Sequence, residues 1–137
     1  MKPTFVDTNI FIRFITKDDS KKAAKCWLLF KKAREKKVIL TTSEAILAET
    51  VYILTSKALY GLSREEVRDK LQPLIGLKGL KLNFRVEILM ALDIFVEYKI
   101  DFEDALTVAR MKSEQIKNIY SYDQDFDKVD WIGRQEP

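Results

Sequence analysis

The sequence contains no histidine, one cysteine and four glycines among its 137 residues. The lack of histidine excludes Ser-His-Asp and Cys-His catalysis, histidine-ligated zinc and histidine general bases. The single cysteine, Cys26, excludes an internal disulfide and a zinc site built on cysteines. The glycines form neither a Walker loop nor a Gly-x-Gly-x-x-Gly turn, so a dedicated nucleotide cradle is not expected. Any chemistry must therefore use carboxylates, lysine, tyrosine, hydroxyl groups or a bound metal.

Long apolar runs are also missing. No run approaches the ~20 residues that a membrane-spanning helix needs, and Met1-Lys2-Pro3 leads directly into the first predicted strand without the apolar core of a signal peptide. We therefore expect a cytoplasmic protein with no membrane association. The length, with 47% hydrophobic and 33% charged residues, predicts one globular domain over residues 1–137.

The formal charge is only +3, so the placement of the charges decides what they do. If four of the 21 acids share one pocket, 24 basic residues face 17 remaining acids and the rest of the molecule carries +7. A basic surface around an acidic pocket suits a phosphate backbone. A lysine-rich helix predicted at residues 21–36 fits either this arrangement or an ordinary solvated face. Charge alone leaves both interpretations open.

Short apolar and β-branched runs alternate with helical patterns along the whole chain. The predicted strands are residues 4–6, 38–40, 79–84 and 118–120, with an edge strand around Trp131-Ile132. The predicted helices are residues 8–15, 21–36 and 43–57, one opened by the capping box at Ser63 and ended by Pro73 and Gly76, then 85–98 and 101–114. This alternation predicts an α/β fold with a central parallel sheet of four to five strands, flanked by helices on both faces.

Four acids occupy related positions in this scheme. Asp7 and Asp123 each follow a predicted strand, and the carboxyl ends of parallel strands meet at one edge of a sheet. Glu49 and Asp104 fall on helices that can line that edge. Two unit charges ~4 Å apart repel by about 4 kcal/mol at an effective dielectric of about 20, so four gathered carboxylates predict a bound cation. Oxygen ligands favour Mg²⁺ or Mn²⁺, either of which could activate a water without histidine.

Taken singly, two of these acids also have a purely structural interpretation. Asp104 at the third position of a helix complements the helix dipole, and Asp123 suits a turn. Asp7 is the strongest candidate by itself, because an aspartate that ends a strand before Thr8-Asn9 has little structural reason to lie there.

Four segments together resemble a known family. They are Phe5-Val6-Asp7-Thr8-Asn9-Ile10, Ala48-Glu49-Thr50-Val51, Asp101-Phe102-Glu103-Asp104-Ala105-Leu106 and Ser121-Tyr122-Asp123-Gln124-Asp125-Phe126. In this order, and in a chain of this length, they resemble the PIN domain, particularly the VapC-like toxins of toxin–antitoxin pairs. The resemblance implies a single PIN domain over residues 1–137 with Mg²⁺- or Mn²⁺-dependent endoribonuclease activity on RNA.

The same resemblance implies roles for individual residues. The catalytic and metal-binding acids would be Asp7, Glu49, Asp104 and Asp123. Asn9 and Ser121 would support the site, and Asp101 and Asp125 would be possible extra acids. VapC-like toxins generally form homodimers, and a cognate antitoxin protein blocks the acidic pocket with a basic or aromatic side chain. Separately, Arg13 and Arg110 lie within two helical turns of a predicted ligand, and we expect them to contact phosphate.

Other protein classes gather acids in a similar way. A haloacid-dehalogenase-type phosphatase needs Asp-x-Asp after the first strand, but Asn9 stands where its second acid would be. A receiver-like signalling domain pairs two acids early in the chain, and Glu49 on a mid-chain helix fits it poorly. A PIN-like module that binds RNA or protein without cutting would be favoured by loss of an acid, and all four are present. A PIN nuclease that processes RNA, rather than a toxin, stays open.

Overall fold

Six α-helices and five short strands make up the protein in a computed structural model that describes residues 1–137. The chain divides into two units, Met1–Arg85 and Val86–Pro137. None of the helices combines the length and the apolar character that crossing a bilayer requires.

The first unit is a three-stranded parallel sheet with helices in its connections. Its elements are β1 (Thr4–Phe5), α1 (Thr8–Thr16), α2 (Ser20–Arg34), β2 (Leu40–Thr41), α3 (Glu44–Thr55), α4 (Arg64–Ile75) and β3 (Leu80–Lys81). The strand order is β1-β2-β3, with Leu40 paired to Thr4 on one side and to Leu80 on the other. Parallel neighbours need helical crossovers, which explains the helices between successive strands.

The start of each crossover helix follows from a capping residue. Ser43 accepts a hydrogen bond from the Ile46 backbone at 3.1 Å, and Ser63 and Glu66 form a complete capping box at the start of α4. The cap of α3 is thus Ser43, directly before the first helical residue Glu44.

One arginine and one glycine fix the return from α4 to β3. The Arg85 guanidinium donates to the backbone carbonyls of Ile75, Leu77 and Leu80. Gly79 lies against the carbonyl of Ala33 so closely that any side chain would overlap it. These contacts set the position of β3 beside β2.

The second unit carries the rest of the helices and a two-stranded parallel sheet. Its elements are α5, which begins at the unit boundary (Arg85–Tyr98), α6 (Phe102–Ser113), β4 (Asn118–Tyr120), a 3₁₀ helix (Gln124–Lys128) and β5 (Gly133–Gln135). β4 and β5 are paired from Asn118–Gly133 to Tyr120–Gln135. Phe95 of α5 and Phe102 of α6 meet edge to face, with ring centroids 6.0 Å apart.

The predicted α/β class with parallel strands is confirmed. The five strands form one sheet of three and one of two, in place of a single central sheet of four to five, because β4 forms its hydrogen-bonded ladder with β5. The predicted edge strand also begins two residues later than Trp131, at Gly133.

Candidate metal centre

Asp7 and Glu49, in the first unit, are both hydrogen-bonded to Thr8. The Thr8 backbone N–H donates to Asp7 Oδ1 at 2.8 Å, and the Thr8 hydroxyl donates to Glu49 Oε2 at 2.9 Å. We call Asp7 and Glu49 the Thr8 carboxylate pair. Asp7 follows β1 and is the N-cap of α1, so the expectation that it has little structural reason to lie there is wrong. Both acids are exposed, so each has carboxylate surface that a ligand can reach.

The local sequence explains why Thr8 faces inward. Thr8, Phe11, Ile12 and Ile15 fall at helical spacing and form the buried side of α1. Thr8 is only 6% exposed, and a buried hydroxyl requires a hydrogen-bond partner. Glu49, on α3, provides that partner.

The second unit holds a cluster of three acids, Asp104, Asp123 and Asp125, which we call the acid cluster. One carboxylate oxygen of each lies within 4.8 Å of the others. Asp104 is in the first turn of α6, whereas Asp123 and Asp125 follow β4. Two of the predicted ligands, Asp104 and Asp123, are therefore brought together, along with Asp125, which the sequence indicated only as a possible extra acid.

Hydrogen bonds hold the turn after β4 in shape. The Ser121 hydroxyl oxygen accepts from the Asp123 N–H at 3.0 Å, and Asp123 Oδ1 accepts from the Asp125 N–H at 2.9 Å. Arg134 of β5 donates to the Ser121 carbonyl at 3.0 Å. Ser121 thus contacts the residue that it is predicted to support.

The acid cluster is electrostatically unfavourable by itself. The pKa of Asp104 is raised to about 6, first by burial and then by the negative charges of Asp123, Asp101, Asp125 and Glu103, in that order of importance. Lys128 is the cation at the edge of the cluster, with its Nζ 3.2 Å from Asp125 Oδ1. Asp104 and Asp123 thus repel each other, while Asp125 is partly neutralised.

The donor set of the acid cluster fits a hard divalent cation. One carboxylate oxygen of each acid lies within 4.8 Å of the others, and carboxylate oxygens together with water are the ligands that Mg²⁺ and Mn²⁺ prefer. A cation bound there would replace the mutual repulsion of Asp104 and Asp123 with attraction to both carboxylates.

The remaining predicted residues belong to one or the other of the two units. Asp101 is the N-cap of α6 by position, but its side chain makes no capping hydrogen bond. Asn9 is exposed in the first turn of α1. Arg13 forms an ion pair with Asp18 at 3.0 Å, and Arg110 adds positive charge near Glu87, whose pKa is lowered first by the Ser113 hydroxyl. The expected phosphate contacts of both arginines stay predictions.

Thr8 is the residue that the sequence analysis missed. Its signal was available, because Thr8 is the polar member of the otherwise apolar series that continues with Phe11, Ile12 and Ile15. A polar side chain at a core position implies a specific partner.

Comparison with known proteins assigns the chain to a family. The family model described as PIN domain matches residues 4–132, so the chain belongs to the PIN-domain family. The chain is also 27% identical over 147 aligned residues to a protein named Ribonuclease VapC6 from Methanocaldococcus jannaschii, with 93% of each chain covered. The resemblance to VapC-like PIN domains that the four sequence segments indicated is confirmed.

Proposed function

We propose that this PIN-domain protein is a metal-dependent endoribonuclease. Its ligands for Mg²⁺ or Mn²⁺ would be Asp7, Glu49, Asp104 and Asp123. The observation that carries the proposal is the acid cluster, which lies in a chain matched by the PIN-domain model over residues 4–132. The relative named Ribonuclease VapC6 supports RNA as the substrate.

The bound metal would supply a water of lowered pKa and neutralise charge that develops on the phosphate. The chain's own contribution is the placement of carboxylates: Thr8 contacts two of them, and Ser121 braces the turn that presents Asp123. The lysines of α2 are exposed and give this unit a basic surface that attracts a phosphate backbone. Arg13 and Arg110 are proposed to contact phosphate once RNA is bound.

The Asp7→Asn variant tests the proposal. Asparagine is as good an N-cap as aspartate, and its side-chain oxygen can still accept from the Thr8 N–H. The fold should therefore be kept, while the proposed metal loses one negatively charged ligand. We expect Mg²⁺- or Mn²⁺-dependent cleavage of single-stranded or loop RNA by the wild type and loss of cleavage in Asp7→Asn.

Asp130→Asn is the matched control, since it removes an exposed aspartate that is outside the proposed ligand set. It should cleave as the wild type does. Equal cleavage by the wild type and Asp7→Asn, or undiminished wild-type cleavage in EDTA, would refute the assignment.

We further propose that the protein is the toxin of a toxin–antitoxin pair, is cytoplasmic, and acts as a homodimer of single PIN domains. The support is the similarity to a VapC-named relative along 93% of both chains. Expression in a bacterial host should arrest growth, and Asp7→Asn should abolish the arrest. Metal-dependent cleavage without growth arrest would favour RNA processing instead, and light scattering tests the dimer.

A further inference from the structure

Thr8 joins the two carboxylates of the Thr8 carboxylate pair through different atoms. Its backbone N–H donates to Asp7 at 2.8 Å and its hydroxyl to Glu49 at 2.9 Å, although Asp7 and Glu49 are far apart in the sequence. We propose that Thr8 is a positioning residue that holds the Glu49 carboxylate in place as a metal ligand; this inference rests on the proposed function.

Other threonines of the protein show that this use of the hydroxyl is specific. In α1 and α3 the hydroxyls of Thr16, Thr50 and Thr55 each donate, at 2.8 Å, to the backbone carbonyl four residues earlier. Thr8 is the first residue of α1, so no helical carbonyl lies one turn before it. The Thr8 hydroxyl instead donates its hydrogen bond to the carboxylate of Glu49 on α3.

The hydroxyl restrains a side chain that would otherwise be mobile. Glu49 is exposed, and a free glutamate samples several rotamers at each of its torsions. Thr8 is β-branched, stiff and 6% exposed, so it is a rigid anchor for Glu49 Oε2 and leaves the other carboxylate oxygen available. Partners that hold a metal ligand in place commonly change metal affinity by about 10- to 100-fold when they are removed.

Measuring the affinity for Mn²⁺ separates a role of Thr8 in orienting Glu49 from a role in packing. The affinity of the purified protein is measured from the electron paramagnetic resonance signal of free Mn²⁺, and melting in EDTA checks the fold of each variant. Thr8→Val replaces the hydroxyl with a methyl group of the same shape, and we expect Mn²⁺ binding about tenfold weaker. Thr8→Ser restores the hydroxyl and should bind within about threefold of the wild type.

Thr50→Val is the matched control. Thr50 is fully buried and adjacent to Glu49 on α3, but its hydroxyl bonds only to the Ile46 carbonyl, so Mn²⁺ affinity should be unchanged. If Thr8→Val fails to fold, Thr8→Ala removes the hydroxyl without adding an apolar group beside Glu49 and should show the same loss.

Three results would overturn the inference. They are Thr8→Val binding Mn²⁺ as tightly as the wild type, Thr8→Ser losing as much affinity as Thr8→Val, or Thr50→Val losing as much as either. If any of these occurs while the wild type binds Mn²⁺ and cleaves RNA, only the role of Thr8 is wrong. A wild type that neither binds Mn²⁺ nor cleaves RNA would refute the proposed function, and the role of Thr8 with it.

Discussion

Replacing Asp104 with asparagine should stabilise the metal-free protein. Folding raises the pKa of this carboxyl from its ordinary 3.8 to about 6, first through burial and then through its acidic neighbours. At neutral pH the negative charge of Asp104 therefore costs more free energy in the folded protein than in the unfolded chain. An unscreened shift of this size corresponds to about 3 kcal/mol at ~1.4 kcal/mol per pKa unit.

Two effects reduce that figure. Asp104 is only half-buried, so solvent and salt screen its interactions, and about 1–2 kcal/mol is a better measure. Asp104 also lies in the first turn of α6, where a negative charge gains about 0.5 kcal/mol from the helix dipole. The net gain for Asp104→Asn is about 1 kcal/mol, which raises the melting temperature of a domain of this size by about 3–4 °C.

Thermal unfolding at pH 7 in EDTA and low salt measures this shift. Asp130→Asn is the control for the change in net charge, because Asp130 is an exposed acid of the same unit and does not raise the pKa of Asp104. Added Mg²⁺ should narrow the difference, since the wild-type carboxylate gains a cation and the amide does not. A lower melting temperature for Asp104→Asn in EDTA, or a rise no larger than that of Asp130→Asn, would show that the acids are not crowded in solution.

Two further predictions follow from the same structure. The stability difference between Asp104→Asn and the metal-free wild type should depend on pH, because the folded pKa of Asp104 is raised. The stabilising contribution of this carboxyl is fully present below about pH 3.8 and is lost as the pH rises through about 6, so the advantage of asparagine should grow across that window. Urea unfolding curves measure the difference, and a difference that does not change with pH would contradict the prediction. Arg85→Ala should lower the free energy of unfolding by about 2–3 kcal/mol, because three backbone carbonyls lose a charged donor. Arg85→Lys should recover less than half of that loss. Unchanged stability of Arg85→Ala in urea unfolding would show that these hydrogen bonds contribute nothing.

The helices were more predictable than the strands, for a physical reason. Caps and apolar spacing are local signals, and α5 has the predicted bounds Arg85–Tyr98. The strands are only two or three residues long, too short for an alternating pattern to define their ends. The predicted strand at 79–84 is reduced to Leu80–Lys81, because Phe84 adopts φ +59° and the chain turns directly into α5.

Some features of the candidate site could likewise be predicted from the sequence, and others could not. The meeting of Asp104 with Asp123 could be predicted from their places after a helix start and after a strand. The sequence also indicates that the buried Thr8 hydroxyl needs a partner, but it does not identify that partner. Glu49 is 41 residues away, and only the packing of α1 against α3 determines which carboxylate the hydroxyl meets.

The cations near the acid cluster are paired with acids at its edge. Arg134 forms ion pairs with Asp127 and Glu136, each at 3.0 Å, and Lys128 pairs with Asp125. The second unit thus has basic side chains within a few residues of the cluster, yet they neutralise acids at its edge and leave Asp104 and Asp123 facing each other. The arrangement keeps the repulsion between Asp104 and Asp123, which a cation from solution would relieve. If the proposed metal binds there, removing it should destabilise the protein, whereas removing the Asp104 charge from the metal-free protein should stabilise it.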